Sequence, residues 1–126
     1  MFIKFTNNEE RRKYGGSAFV EFQFCKLRET TRIKKIVNKI NHWQEDSLYV
    51  YVDYMDKFIE SYGNVFNCGT YNNLKSGPID IFGVNYYKKS QIVDMIDKLM
   101  EIDNNEVLIN WLKEALKYNG FYILGI

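Results

Sequence analysis

The sequence predicts a single α+β domain, with an antiparallel or mixed sheet of about five strands and about three helices packed on it. Its 126 residues suit one domain, and 46% of them are hydrophobic, which is enough for a substantial core. Apolar residues alternate along some segments, as in strands, and recur every three or four residues along others, as in amphipathic helices. A single proline leaves no Pro-rich linker. We therefore assign residues 1–126 to one domain.

The first 27 residues predict two strands joined by a charged loop. Residues 2–6 suit a short strand, and residues 7–16 suit a loop that closes on a Gly15-Gly16 turn. Residues 17–27 alternate between an apolar set and a mainly polar set: Ala18, Val20, Phe22 and Phe24 against Glu21, Gln23 and Cys25. That period of two is typical of a strand with one buried face. We expect the two strands to pair as a hairpin.

Residues 30–43 predict an amphipathic helix, which Thr30 or Thr31 would cap. Its apolar side chains recur at steps of three and four residues, namely Ile33, Ile36, Val37, Ile40 and Trp43. Its outer face would be basic and would carry Arg32, Lys34, Lys35 and Lys39.

The middle of the chain predicts a third strand and a short helix. In residues 47–54, Leu48, Val50 and Val52 share one face, and Tyr49, Tyr51 and Asp53 share the other. Residues 55–62 fit both a strand and a helix, and the spacing of Met55, Phe58, Ile59 and Tyr62 favours the helix. Residues 65–68 suit a brief strand, residues 69–78 a surface loop, and residues 79–87 extended structure.

The last third predicts two helices and a closing strand. Ser90 would cap a helix over residues 91–102, with Asp94 in its first turns, and residues 103–105 would break it. A second helix covers residues 106–118, and Gly120 stands where a left-handed C-terminal cap would be. The inner faces of the two helices are Ile92, Val93, Ile96, Leu99 and Met100, and then Leu108, Trp111, Leu112, Ala115 and Leu116. Residues 121–126 are apolar enough to require pairing inside the sheet.

Catalytic motifs are scarce, and we expect neither an enzyme nor a metal or other cofactor. His42 is the sole histidine, which excludes a multi-histidine metal site. Cys25 and Cys68 are expected to be reduced core residues, because isolated cysteines without a secretory signal rarely pair. If residues 55–62 are helical, Asp56 and Glu60 share a face that could bind a cation or a basic side chain, although such a pair is usually only solvated.

The chain is expected to be cytoplasmic, without a membrane partner. No apolar run reaches the roughly 18–20 residues of a membrane helix, and the N-terminus lacks the apolar core of a signal peptide.

Charge is unevenly distributed although the net charge is only +1. Residues 1–43 contain 10 Lys and Arg against 4 Asp and Glu, whereas residues 44–126 contain 7 against 12. Folding could preserve this polarity as two faces or cancel it.

One alternative function is nucleic-acid binding by the basic N-terminal third. Arg11, Arg12 and Lys13 would contact phosphates. The nearby aromatic side chains that would stack on bases are Phe19, Phe22 and Phe24.

Residues 82–91, the helical pair that follows and the closing stretch 119–126 together resemble small bacterial immunity proteins of contact-dependent growth inhibition and other polymorphic toxin systems. The resemblance is one of style over the C-terminal third, and it transfers no functional residue. It implies a cytoplasmic protein that binds one cognate toxin tightly, commonly a nuclease.

Residues 47–62 interleave tyrosines with carboxylates, a composition that suits recognition of a basic protein partner. Tyrosines would act as anchors, and carboxylates would steer the partner and pair with its Lys and Arg. The predicted partner-binding residues are Tyr49, Tyr51, Asp53, Asp56, Glu60 and Tyr62. This prediction requires the tyrosine face to be exposed, because helices on both faces of the sheet would bury it.

Overall fold

The structure, a computed structural model, describes residues 1–102 and 104–126. Its strands are β1 (Phe2–Ile3), β2 (Phe19–Phe24), β3 (Leu48–Tyr51), β4 (Gly69–Thr70), β5 (Ser76–Gly77), β6 (Val84–Tyr87) and β7 (Phe121–Leu124). Its α-helices are α1 (Asn8–Gly15), α2 (Ile33–Ile36), α3 (Met55–Tyr62), α4 (Lys89–Met100) and α5 (Glu106–Ala115), and a 3₁₀ helix covers Val52–Tyr54. The strands form one sheet in the order β1-β3-β2-β7-β6-β4-β5, and each neighbouring pair is antiparallel.

The α+β class and the antiparallel sheet are confirmed, but the predicted numbers of elements are wrong. The described residues contain seven strands and five α-helices. β4 and β5 lie in the predicted surface loop of residues 69–78, and the predicted strand at 65–68 is absent from the sheet. Two-residue strands have too short a pattern to stand out in a loop rich in Asn and Gly.

The predicted loop at residues 7–16 is the helix α1. The Asn7 side-chain oxygen accepts a hydrogen bond from the Glu10 N–H at 2.9 Å, so Asn7 is the N-cap. Acidic residues in the first turn and basic residues in the last turn complement the helix dipole. The predicted hairpin of the first two strands is also wrong, because β1 pairs with β3 and both β1 and β2 flank that strand.

The sequence predicted a helix over residues 30–43, but the structure contains only the single turn α2 there. Helical hydrogen bonds extend no further than the bond from the Lys39 N–H to the Lys35 carbonyl. The chain then crosses the sheet in irregular conformation, and Trp43 adopts a left-handed backbone with φ of 68°. Ile36 and Val37 are buried as predicted, packed with Tyr86, Tyr122 and Leu124.

Both faces of the sheet are covered. Helices α3, α4 and α5 pack on one face over the side chains of Val20, Phe22 and Ile123. Residues 26–47, with α2, cover much of the other face over Cys25 and Tyr122. Strand β2 is therefore buried along its whole length, including Glu21 and Gln23, which the alternating pattern assigned to a polar face.

The C-terminal third is close to the prediction. α4 and α5 bury the apolar stripes that the sequence indicated, except that Val93 and Met100 are exposed, and Lys88 takes the N-cap position of α4 instead of Ser90. Gly120 has the predicted left-handed backbone, with φ of 77°. The predicted helix break at residues 103–105 includes Asp103, which lies outside the described residues. None of the helices in residues 1–102 and 104–126 has the length and apolar composition that a bilayer crossing requires.

Both cysteines are free, as predicted, but only Cys25 is a core residue. Its thiol donates to the Tyr122 hydroxyl at 3.4 Å inside the cluster that Ile36, Val37 and Tyr86 also form. Cys68 is exposed, which corrects the expectation that it lies in the core.

Candidate protein-binding surface

The end of β3 and the start of α3 determine which predicted contact residues reach solvent. The strand stops at Tyr51, where the Val52 N–H donates to the Ala18 carbonyl at 2.9 Å, and the 3₁₀ helix begins. Because the backbone turns there, the alternation that assigned Val52 to the core face no longer applies. Val52 is 37% exposed.

Helix α3 lies on the sheet through Met55, Phe58 and Tyr62, which are all buried. This spacing of three and four residues turns Asp56 and Glu60 outward, and Asp53 stands one turn before Asp56 on the same side. All three carboxylates are exposed, and none lies within 4.0 Å of a basic group of the described residues. Lys57 is exposed on the same helix and offsets one of the three charges.

Two of the predicted tyrosine anchors are buried, which corrects their proposed role. Tyr49 is 2% exposed, and its hydroxyl donates to the Gln44 carbonyl at 2.9 Å. Tyr62 is 8% exposed, and its hydroxyl donates to the side-chain oxygen of Asn105. Burial raises the pKa of both phenols above its ordinary value, and the nearby Glu21 charge adds to the effect at Tyr49.

Tyr51, the remaining predicted anchor, is half-buried. Its ring centroid lies 5.5 Å from that of Tyr14 and 5.3 Å from that of Phe19, so most of the ring contacts this chain's own aromatic side chains. The tyrosine-lined strand face is therefore a second core, as expected when both faces of a sheet are covered.

Three exposed apolar side chains that the sequence did not single out border the carboxylates. They are Val52, Tyr54 and Ile59, with exposed fractions of 37%, 39% and 39%. We define the acidic surface as Val52, Asp53, Tyr54, Asp56, Ile59 and Glu60. Apolar side chains beside a charged rim are compatible with a protein interface, although carboxylates are commoner at the rim than at the core of one. Val52 and Tyr54 are exposed because β3 ends early, at Tyr51. The alternation of apolar and polar residues continues past that point, so the sequence gives no sign of this end.

The opposite face of the sheet contains a buried carboxylate that sequence analysis placed in solvent. Oε1 of Glu21 accepts from the Trp43 N–H at 2.8 Å. Its Oε2 accepts from the Gln44 N–H at 3.0 Å and the Ser47 hydroxyl at 2.6 Å. His42 Nδ1 lies 3.5 Å from Oε1. Burial by itself would raise the pKa of Glu21, but these hydrogen bonds more than offset it and lower the pKa.

The Glu21 carboxylate is therefore a structural group. Its oxygens already accept four hydrogen bonds, counting the 3.0 Å bond from Gln23 Nε2 to Oε2, so it has little capacity left to take a substrate proton. A cleft of about 430 Å³ is lined by Trp43, which binds Glu21 through its N–H, and by residues that include Phe82, Val84 and Leu124. Within the described residues, no group of three or more His, Cys, Asp or Glu side chains could hold a metal ion.

Comparison with known proteins gives no relative from which a role could be transferred: no family model, curated protein or solved structure matches the chain at a significant level.

Proposed function

We propose that this chain is a protein-binding immunity protein that neutralises a cognate bacterial toxin, a nuclease, by binding it tightly through the acidic surface. The proposal rests on two features of residues 52–60. Three exposed carboxylates have no basic group within 4.0 Å among the described residues, and three exposed apolar side chains lie beside them. The resemblance of the C-terminal third to immunity proteins selects the toxin as the partner.

The chemistry of the acidic surface fits a nuclease. An enzyme that cuts nucleic acid presents a basic groove to the phosphates, and carboxylates on a folded surface complement that groove. Asp53, Asp56 and Glu60 would speed the encounter and pair with Lys or Arg. Val52, Tyr54 and Ile59 would supply the apolar contact that holds the complex together.

Co-expression tests this function directly. The chain is produced in a bacterial host together with a candidate toxin domain taken from an adjacent reading frame, and survival is scored. Wild type should protect the host, whereas a Tyr54→Ala/Ile59→Ala variant, in which both changes are at exposed positions, should protect poorly while folding normally. A variant of Val93 and Met100 to alanine is the matched control, because it removes two exposed apolar side chains from α4 instead. Equal protection by both variants would contradict the proposal.

Nucleic-acid binding by the whole basic N-terminal third has weaker support. Arg11 is buried, with its guanidinium 3.9 Å from the centre of the Trp43 ring, so it does not reach a phosphate. The aromatic side chains expected to stack on bases are all buried: Phe19, Phe22 and Phe24.

A further inference from the structure

One segment on the other face of the sheet concentrates positive charge. Residues 26–39 contain six Lys and Arg against the single acid Glu29. All six basic residues are exposed, and Lys26 pairs with Asp46. The other five have no carboxylate within 4.0 Å among the described residues: Arg28, Arg32, Lys34, Lys35 and Lys39. We call these five residues the basic surface.

Local geometry turns these side chains outward together. Hydrogen bonds from the Lys35, Ile36, Val37 and Lys39 N–H groups to carbonyls three and four residues earlier wind residues 32–39 into helical turns. Ile36 and Val37 point into the core against Tyr122, so Arg32, Lys35 and Lys39 lie on the outer side at spacings of three and four residues. Lys34 is exposed beside them.

The basic and acidic surfaces lie on opposite sides of the molecule. Residues 26–39 cover the sheet face that carries Tyr122, and α3 covers the face that carries Phe22. The basic residues of this segment and the carboxylates of the acidic surface are thus separated by the sheet. Although the net charge is only +1, the local excess of positive charge on this segment favours an anionic partner.

The two surfaces differ in apolar content, and this difference indicates the class of partner. Among the large hydrophobic side chains that are exposed in the described residues, none lies between residues 15 and 51. Protein interfaces need buried apolar or aromatic anchors for affinity. Binding to a phosphate backbone needs none, because release of condensed counterions supplies the free energy.

We propose that the basic surface binds the phosphate backbone of a nucleic acid without reading its sequence. Five exposed cations on about a dozen residues match a polyanion with closely spaced charges, and the buried aromatic side chains leave no platform for base stacking. This site is separate from the acidic surface, so binding of nucleic acid and binding of a protein partner can be tested independently.

The experiment measures fluorescence anisotropy of a labelled 20-base-pair DNA duplex titrated with the full chain at 50 to 200 mM salt. Contact with all five cations predicts a slope of log K against log salt of about −4.5, because each neutralised phosphate contributes about −0.9. Arg32→Gln/Lys34→Gln/Lys35→Gln should reduce the magnitude of the slope by about 3 and weaken binding at 50 mM salt by more than tenfold.

The matched control is Lys4→Gln/Lys75→Gln/Lys113→Gln, which removes the same charge from exposed positions elsewhere. It should bind within about twofold of wild type. Three results would overturn the proposal: an equal loss in the two variants, binding that does not depend on salt, or displacement of the duplex by poly-L-glutamate at equal charge concentration, which would indicate an acidic protein as the partner. An Asp53→Asn/Asp56→Asn variant, which adds no cation, should keep its DNA affinity within about twofold, which separates this site from the acidic surface.

Discussion

The guanidinium carbon of Arg11 lies 3.9 Å from the centre of the Trp43 ring, and the backbone N–H of the same tryptophan donates to Glu21 at 2.8 Å. Trp43 is thus held on its ring by a buried cation and on its backbone by a buried carboxylate. Its left-handed backbone is unfavourable for a residue other than glycine, and these contacts maintain it. Residues 41–47 therefore depend on Glu21 for their path across the sheet.

Glu21→Gln should destabilise the domain by about 2–4 kcal/mol, because an amide replaces one acceptor oxygen by a donor and faces the Gln44 N–H and the Ser47 hydroxyl. Urea denaturation followed by circular dichroism measures the free energy of unfolding. Ser47→Ala removes one of the donors and should cost about 1 kcal/mol. A Glu21→Gln variant as stable as wild type would contradict the structural role of the carboxylate.

Stability should also fall in acid through Glu21. Its pKa in the folded protein is lower than the ordinary value of 4.5, so the unfolded chain takes up the proton first as the pH decreases. The stabilisation is fully present above about pH 5 and is lost as the pH falls from there through the folded-state pKa. The difference in unfolding free energy between wild type and Glu21→Gln should therefore shrink between pH 5 and pH 3. A difference that stays constant over this range would show that Glu21 does not titrate in this way.

Gly120→Ala should be one of the most damaging single changes in the chain, with a cost of about 3 kcal/mol or more. A Cβ at this position would lie 2.1 Å from the Tyr87 carbonyl oxygen, and the backbone is left-handed with φ of 77°. Gly16→Ala is the matched control, since φ is 62° and a Cβ there would meet no atom within 4 Å. It should cost only the backbone strain, about 1–2 kcal/mol. Thermal denaturation of both variants measures the difference, and similar melting temperatures would contradict the close contact at Gly120.

Substitutions at Tyr62 and Tyr54 should have opposite effects, the first on the stability of the fold and the second on affinity for the partner. Tyr62→Phe leaves the side-chain oxygen of Asn105 without its hydroxyl donor and should lower stability by about 1–2 kcal/mol. It should leave partner affinity unchanged, since only 8% of Tyr62 is exposed. Tyr54→Ala should do the reverse and weaken binding with little change in melting temperature. Calorimetric titration of the toxin domain distinguishes the two, and a loss of affinity in Tyr62→Phe alone would refute this assignment.

Sequence patterns predicted α4 and α5 well because the apolar side chains of these helices keep one period over about ten residues. They predicted β7 well because residues 121–126 form a continuous, mainly apolar run. The same period over residues 30–43 indicated a helix that the structure ends at Lys39. Apolar side chains spaced three and four apart also suit an irregular segment that covers a sheet. The irregular path of residues 41–47 is selected by Glu21, which lies 22 residues before Trp43 in the sequence and accepts hydrogen bonds from the N–H groups of Trp43 and Gln44. A contact between distant residues leaves no mark on local periodicity.

The exposure expected of the predicted binding residues was wrong for Tyr49 and Tyr62 and right for the carboxylates, and their binding role stays a prediction. Tyr49 and Tyr62 were chosen for their chemistry, but burial is decided by which segments cover the sheet. The carboxylates Asp53, Asp56 and Glu60 are exposed because a charge without a partner is costly to bury, a constraint that acts on the residue itself. For these residues, the expected exposure was right where its physical cause is local.

The association rate constant of the toxin domain with Asp53→Lys/Asp56→Lys tests the central claim most directly. A partner steered by the acidic surface should associate at least tenfold more slowly with this variant at low salt, and the difference should narrow as salt screens the charges. Asp97→Lys/Glu101→Lys makes the same change of charge at exposed positions near the end of α4 and should associate nearly as fast as wild type. Equal rates for the two variants would show that the acidic surface does not meet the partner.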